Sequence, residues 1–434
     1  MYFYTLHQKE TDMKILWYVN IIMPAASEIL GFKSSGGGGW LIGQASFLVK
    51  ENVDLHIMTV SDKVSEKTTV SADGITYIIL PVCEDVENQF ASIISEVSPA
   101  LVHIFGTEYE YNTRLITLCA QQNIKHVASL QGVMFDYAKH YKDGLPKDKF
   151  NKVNPVLRFM KKVFMSDSIA LGQQQFEAQG KKELSALKLC KNVIGRTHWD
   201  KAMALEANPD ICYFHVNENL RDDFYNDEKW NWDSCEKHRI LISQGFYPIK
   251  GFHQFLPALA EIKKIYPDVQ VYVGGQSPFT THNKFLDCFV DFFFEYQKYI
   301  KQLIKKYDVA DCIHYTGFLN ATQMKKQFLT ANVFVSPSTI ENSPNSVGEA
   351  MISGTPVVSS NVGGTATMLT DDTDGILYDF HDTAALIEGI KTIFDSREKA
   401  EYFSANAINH ANRTHDRKAN TLAMLEVYKT IMEE

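Results

Sequence analysis

A β-then-α alternation that breaks once and restarts is the feature that most restricts what this chain can fold into. Lys14–Asn20, Val53–Val60, Tyr77–Pro81, Ala100–Phe105 and Lys125–Leu130 read as strands, with a helical stretch near Asn112–Gln122. Strands that keep alternating with helices build a parallel sheet covered on both faces. After Asp222–Lys237, a stretch rich in acids, Asn and Trp that reads as a linker, the pattern resumes. Arg239–Ser243, Val269–Val273, Asn332–Ser336 and Pro356–Ser360 read as strands, and Gly251–Ile265, Tyr296–Tyr307 and Pro344–Ser353 as helices. Two such halves predict an α/β chain of two Rossmann-like, doubly wound domains facing a central cleft. Open sheets of this kind bind ligands beyond the carboxyl ends of their strands. The expected boundaries are an extension over 1–12, a first domain over 13–220, a second over 221–400, and C-terminal helices over 401–434 that pack back toward the first domain.

Charge and composition remove several functions. Lys plus Arg number 43 against 52 Asp plus Glu, a net charge of −9, which argues against a nucleic-acid partner. No apolar run approaches the ~18 residues of a transmembrane helix. The opening residues lack the basic and apolar regions of a secretory signal. Seven cysteines are scattered singly without a CxxC pair. Free thiols in a reducing, cytoplasmic setting fit better than disulfides or zinc.

The strongest motif is Ser336-Pro-Ser-Thr-Ile-Glu341-Asn-Ser-Pro-Asn-Ser-Val-Gly-Glu349-Ala-Met-Ile-Ser-Gly354-Thr-Pro-Val-Val. A buried strand ends at Ser336 and a loop follows. Ser343 is placed to cap a helix and Pro344 to open it. The amides of Asn345 and Ser346 would then point outward unpaired, a ready phosphate site. Gly354 closes the helix. Glu341 and Glu349 bracket that site, and a carboxylate can accept hydrogen bonds from two sugar hydroxyls.

With seven residues between them, Glu341 and Glu349 resemble the E-x7-E signature of the family 4 retaining glycosyltransferases of the GT-B fold. The resemblance implies that Glu341 lies at the donor sugar and Glu349 holds the nucleotide ribose. It makes the first domain the acceptor domain and the second the nucleotide-sugar donor domain. The expected donor is a nucleotide-diphosphate sugar, a UDP-sugar, carrying a hexose or N-acetylhexosamine. The expected acceptor is a saccharide or lipid-linked hydroxyl in polysaccharide or glycolipid assembly. No cofactor or metal is expected. No DxD pair stands at a strand end, and Asp222-Asp223 and Asp371-Asp372 read as loop acids.

Other segments fit that pattern in part. In Leu241-Ile-Ser-Gln-Gly245-Phe-Tyr-Pro-Ile-Lys250-Gly251, Lys250 can meet a diphosphate as it leaves. The resemblance implies G-R-x-x-x-x-K-G here, but the arginine position holds Gly245. Arg196, after an apolar strand, is the expected substitute, against a plain Arg196–Asp200 pair at helical spacing. Gly38 and Gly39, before an amphipathic helix, match a Gly-Gly pair that the resemblance implies at the donor phosphate or the acceptor. Gln131 stands where many relatives carry a histidine near the reacting sugar. Phe318, Gly274 and Gly275 are expected around the base. His103 reads as a core histidine and Glu108 as an acceptor-site acid. Residues 139–164 hold eight Lys or Arg against two Asp. Arg158, Lys161 and Lys162 there offer a basic face for an anionic membrane, hence peripheral association at its inner face. The aromatic run Phe289–Tyr299 reads as a core helix. A sugar-nucleotide epimerase of the same fold, a non-catalytic sugar-nucleotide-binding protein and, third, a dehydrogenase are the alternatives.

Overall fold

The computed structural model describes residues 13–33, 38–150, 168–279 and 294–434. Both halves contain the expected parallel sheet. The first holds β1 (Met13–Tyr18), β2 (Val53–Ser61), β3 (Thr68–Ala72), β4 (Ile75–Pro81), β5 (Leu101–Phe105), β6 (His126–Ser129), β7 (Asn192–Gly195) and β8 (Cys212–His215). Their order is β3-β4-β2-β1-β5-β6-β7-β8. Neighbours pair in parallel except β3, which runs antiparallel to β4. The alternation misses β3. It is a polar edge strand with no helix after it, joined to β4 through Asp73 and Gly74, both at positive φ (53° and 77°), as a tight hairpin requires.

The second sheet holds β9 (Arg239–Ile242), β10 (Gln270–Val273), β11 (Ile313–Tyr315), β12 (Val333–Ser336), β13 (Val357–Ser360) and β14 (Ile376–Tyr378). Its order is β11-β10-β9-β12-β13-β14, parallel throughout. β5, β6, β7, β9, β12 and β13 are buried at every position. That is why they read as unbroken apolar runs rather than alternating ones. The strand order reverses between β9 and β12, so the loops after these two strands diverge around a crevice.

The stretch Asp222–Lys237 departs from a free linker. Phe224 and Trp230 are buried in the second domain's cores. The Trp230 indole donates to the Ala331 carbonyl at 2.7 Å. The last helix, Arg417–Glu433, returns to the first sheet, where Met424, Val427, Tyr428 and Ile431 share a core with Ile15, Trp17 and Leu101. Trp17 Nε1 donates to Tyr428 Oη at 2.9 Å. His103, buried as expected, bonds Tyr428 Oη at 2.6 Å and Ser129 Oγ at 2.7 Å. The helix before it, Arg397–Thr414, packs instead on the second domain through Phe403, Ala407 and Ala411. The chain therefore passes between the domains after β8 and again after Thr414, and these two passages touch. His415 Nδ1 lies 2.8 Å from the Glu218 carbonyl, and Tyr225 Oη donates to the His415 carbonyl at 2.8 Å.

Residues 1–12, the basic positions Arg158, Lys161 and Lys162, and most of the aromatic run from Phe289 lie outside the described residues. In the described part of the basic stretch, the helix ends at His140 and the chain continues in turns. The six cysteines within the described residues are unpaired, and Cys288 lies outside them. Among the described residues no helix is long and apolar enough to cross a membrane.

Burial pushes His103 down to about 3 and His253 and His415 down to about 4, from an ordinary 6.5. All three fold neutral, whereas the unfolded chain protonates them near pH 6.5. Stability should be full above that pH and decline as pH falls toward 4. Each titrating histidine adds a slope of about 1.4 kcal/mol per pH unit. Urea unfolding at pH 7 and pH 5 checks this, and an unchanged midpoint would contradict neutral burial.

Candidate functional site

The loop after β12 is folded by backbone contacts that explain its neighbouring glycines. Ser360 Oγ donates to the Ser338 carbonyl at 2.6 Å, and the Thr339 amide to the Ile249 carbonyl at 2.7 Å. Gly251 has φ +65°, and a β-carbon there would lie 1.7 Å from the Pro337 oxygen. One on Gly363 would lie 2.1 Å from the Glu341 oxygen. Only bare backbone fits at either place.

The helix spans Asn345–Ser353 and starts one residue later than the sequence predicts. Pro344 takes the N-cap position with an extended backbone, and no side chain caps it, so Ser343 does not play that part. The Pro344 carbonyl accepts from Val347 and Gly348 at 2.9 and 3.3 Å. Among the described residues the Asn345 and Ser346 amides have no acceptor. Both residues line a cleft cavity of about 520 Å³. The same cavity is lined by Gly38, Gly39, Gln131, Arg196, Lys250, Gly275, Phe318, Glu341 and Glu349.

Glu341 and Glu349 are both buried and already paired. Lys250 Nζ lies 2.5 Å from Glu341 Oε1, which also accepts from Ser338 Oγ at 2.7 Å. Burial works to lower the Lys250 pKa, but Glu341 and Tyr247 outweigh it and hold the ammonium above its ordinary value. Arg221 grips Glu349 with a fork, Nε to Oε1 at 2.6 Å and Nη2 to Oε2 at 2.7 Å. Burial raises the Glu349 pKa, and Arg221 works against that rise.

Arg196 departs from both expectations. Its guanidinium pairs with Glu218 and donates to the carbonyls of Leu130 at 3.1 Å and Gln131 at 3.3 Å. Asp200 meanwhile accepts from the Arg196 and Thr197 amides as part of a helix capping box, so no side-chain pair with Arg196 forms. The guanidinium is neutralised by Glu218, while its buried Nε has no hydrogen-bond partner among the described residues. Gln131 belongs to the same cluster, its Nε2 donating to Glu218 Oε1 at 2.6 Å. Burial raises the Glu218 pKa, opposed by Arg196, Gln131 and the Asn345 side chain. Asn342 joins the two halves, accepting from Thr197 Oγ1 at 2.9 Å and donating to the Gln131 carbonyl at 3.3 Å.

Gly245 has a steric reason. A β-carbon there would lie 2.7 Å from Val273 Cγ1 and 3.2 Å from the Phe252 ring, so an arginine has no room. At the far end of the cavity Gly275 and Gly317 exchange backbone hydrogen bonds at 3.0 and 3.1 Å. Phe318 projects 73 % exposed beside them, its ring 6.3 Å from Phe246. Gly274 closes on the Ser243 carbonyl, 2.0 Å from where a β-carbon would stand. Glu108 lies off the cavity lining. Its carboxyl accepts from the Thr107 amide at 2.8 Å and is pushed up to about 7 by burial.

Sequence reasoning missed Arg221, Glu218, Phe246 and Asn342. Arg221 and Glu218 fall in or beside the apparent linker, outside any motif. Asn342 is inside the strongest motif, but its partners come from the other half of the chain. Among the described residues no group of three or more His, Cys, Asp or Glu is arranged to hold a metal ion. Asp222 pairs with Arg417 and Asp372 with Lys399.

Residues 226–410 match the model of the family described as Glycosyl transferases group 1. The chain is 28 % identical over 136 residues to D-inositol 3-phosphate glycosyltransferase 2 of Catenulispora acidiphila, a stretch covering 31 % of this chain and 32 % of that protein. The match thus spans about a third of that relative's length. Among solved structures, the fold is similar to sucrose-phosphate synthase from Thermosynechococcus elongatus, with a TM-score of 0.68 and 15 % identity over 97 % of this chain and 99 % of that one. It is also similar to Anabaena HepE in complex with UDP-glucose, with a TM-score of 0.64 and 14 % identity over 96 % and 100 % of the two chains. The architecture is that of the GT-B fold.

Replacing Glu218 by Ala leaves the Arg196 guanidinium buried without its carboxylate. The expected cost is about 3–5 kcal/mol of stability, read as a lower urea midpoint. A loss below about 1 kcal/mol would show the pair to be solvated.

Proposed function

We propose that the protein is a family 4, retaining GT-B glycosyltransferase that moves a hexose or N-acetylhexosamine from a UDP-sugar to a hydroxyl of a saccharide or lipid-linked acceptor. The observation that carries this reading is the pair of backbone N–H groups at Asn345 and Ser346, without an acceptor among the described residues and facing a cavity that Lys250, Glu341 and Glu349 also line. A helix start with bare N–H groups favours a phosphate. The family model over residues 226–410 supports the same chemistry.

In this reading the two amides and Lys250 receive the negative charge that grows on the diphosphate as its bond to the sugar breaks. Such stabilisation does without a divalent cation. Glu341 orients the sugar and Glu349 takes the ribose hydroxyls. Phe318 and the Gly275–Gly317 backbone flank the base, and Gly38 and Gly39 bring a second helix start to the phosphates. Gln131 lies at the sugar end of the cavity, where it can donate or accept a hydrogen bond but not act as a base. In a same-face transfer no base is needed, because the departing phosphate takes the acceptor's proton as the new bond forms. Polysaccharide or glycolipid assembly on the cytoplasmic side is the setting this chemistry fits.

A thermal-shift screen across nucleotide sugars is the direct test, since a ligand bound to the folded form stabilises it by mass action. A UDP-sugar should raise the midpoint. No shift with any nucleotide sugar would remove the reading, and consumption of the sugar nucleotide without an acceptor would favour an epimerase. Lys250→Ala and Glu341→Ala should each lower transfer by about 10²–10³-fold with the fold retained by circular dichroism. Turnover like that of the wild type in either variant would count against the assignment.

A further inference from the structure

Arg221 has an unusual position for a cation. It is 26 % exposed and lines the donor cavity. Its stem lies against the start of the helix Gly39–Lys50, where a β-carbon on Gly39 would come 3.0 Å from Arg221 Cγ. Its guanidinium reaches Glu349, in the helix that starts at Asn345. A cation close to two helix starts meets two partial positive charges. It is held there by Glu349, which is buried and itself needs donors. Two other positions are less able to supply an arginine to the diphosphate, the Arg196 side chain being only 6 % exposed against 26 % for Arg221. Arg196 is occupied by Glu218 and two carbonyls, and Gly245 has no room for a side chain.

We infer that Arg221 is a donor-binding residue that exchanges partners when a nucleoside diphosphate enters the cleft. The ribose hydroxyls replace it on Glu349, and the freed guanidinium turns to the diphosphate at the helix start. The inference rests on the donor reading above and adds to it a residue and a coupling. Glu349 loses a charged donor but gains two neutral ones, so the buried carboxylate stays satisfied. The guanidinium loses a carboxylate but gains a phosphate that its planar fork fits equally well. Neither half of the ligand makes the exchange favourable alone. A nucleoside leaves Arg221 without an anion, and a diphosphate leaves Glu349 without donors. Nucleoside and diphosphate are therefore recognised jointly.

Calorimetry with uridine, inorganic pyrophosphate and UDP, and on the wild type also with ADP and GDP, tests this on the wild type, Arg221→Gln, Arg221→Lys, Glu349→Gln and the Arg221→Gln/Glu349→Gln double variant. Arg221→Gln should weaken UDP at least tenfold and uridine less than twofold, with Arg221→Lys recovering part of the loss. Glu349→Gln should bind pyrophosphate at least threefold more tightly than the wild type, because the guanidinium is no longer held, and the double variant should lose that gain. Equal weakening of UDP and uridine in Arg221→Gln would make Arg221 a mere wall of the pocket and overturn the inference. So would a pyrophosphate affinity that Glu349→Gln leaves unchanged, a result that stands even if the Arg221 variants do not fold. A wild type that binds none of UDP, ADP and GDP would overturn the donor reading together with this inference.

Discussion

Among the described residues, three carboxylates buried in or beside the cleft are each held by one cation. Glu341 is paired with Lys250, Glu349 with Arg221 and Glu218 with Arg196. An ionised carboxylate taken out of water without a partner is expensive, and removing one partner of a buried pair costs far more than the pair contributes. The pairs therefore fix the loops that carry them. Lys250 ties the loop after β9 to the loop after β12. Arg221 ties the connection between domains to the helix Asn345–Ser353. Arg196 and Glu218 belong to the first half, and Gln131 and Asn345 bond to the same acid from either side of the cleft. The walls of the cavity are set by charge satisfaction as much as by apolar packing.

The sheet topology explains why the charges gather here. The loops after β9 and β12 leave the second sheet where its strand order reverses, and they diverge. Residues far apart in sequence are brought together at that divergence. The first sheet contributes Gly38, Gly39, Gln131 and Arg196 to the opposite wall.

Much of this was legible in the residues. Parallel strands buried on both faces leave a continuous apolar signature, so most strands of both sheets stand out, while β3, β8 and the short, partly exposed β14 do not. The strand–loop–helix around Glu341 is a local unit whose proline, glycines and acids all fall between Glu341 and Gly354. Long-range pairing was not legible. Arg196 was chosen for a diphosphate because a strand end faces a cleft, but its fate depends on Glu218, which lies beyond the next helix and strand. The start of the motif helix was off by one residue because Ser343-Pro344 satisfies the local rules for cap and first turn, while the fold places Pro344 itself at the cap. Phe224 and Trp230 turned an apparent linker into part of a core. Composition marks such a stretch as polar, but two aromatics are enough to dock it.

The two passages of chain between the halves run side by side, bonded through Glu218, His415 and Tyr225. A single covalent tether would let one lobe both swing and twist against the other. Two adjacent tethers joined to each other resist twisting. On the cleft side Asn342, bonded to Thr197 and to the Gln131 carbonyl, adds a third link, so the two walls are held against each other from both edges.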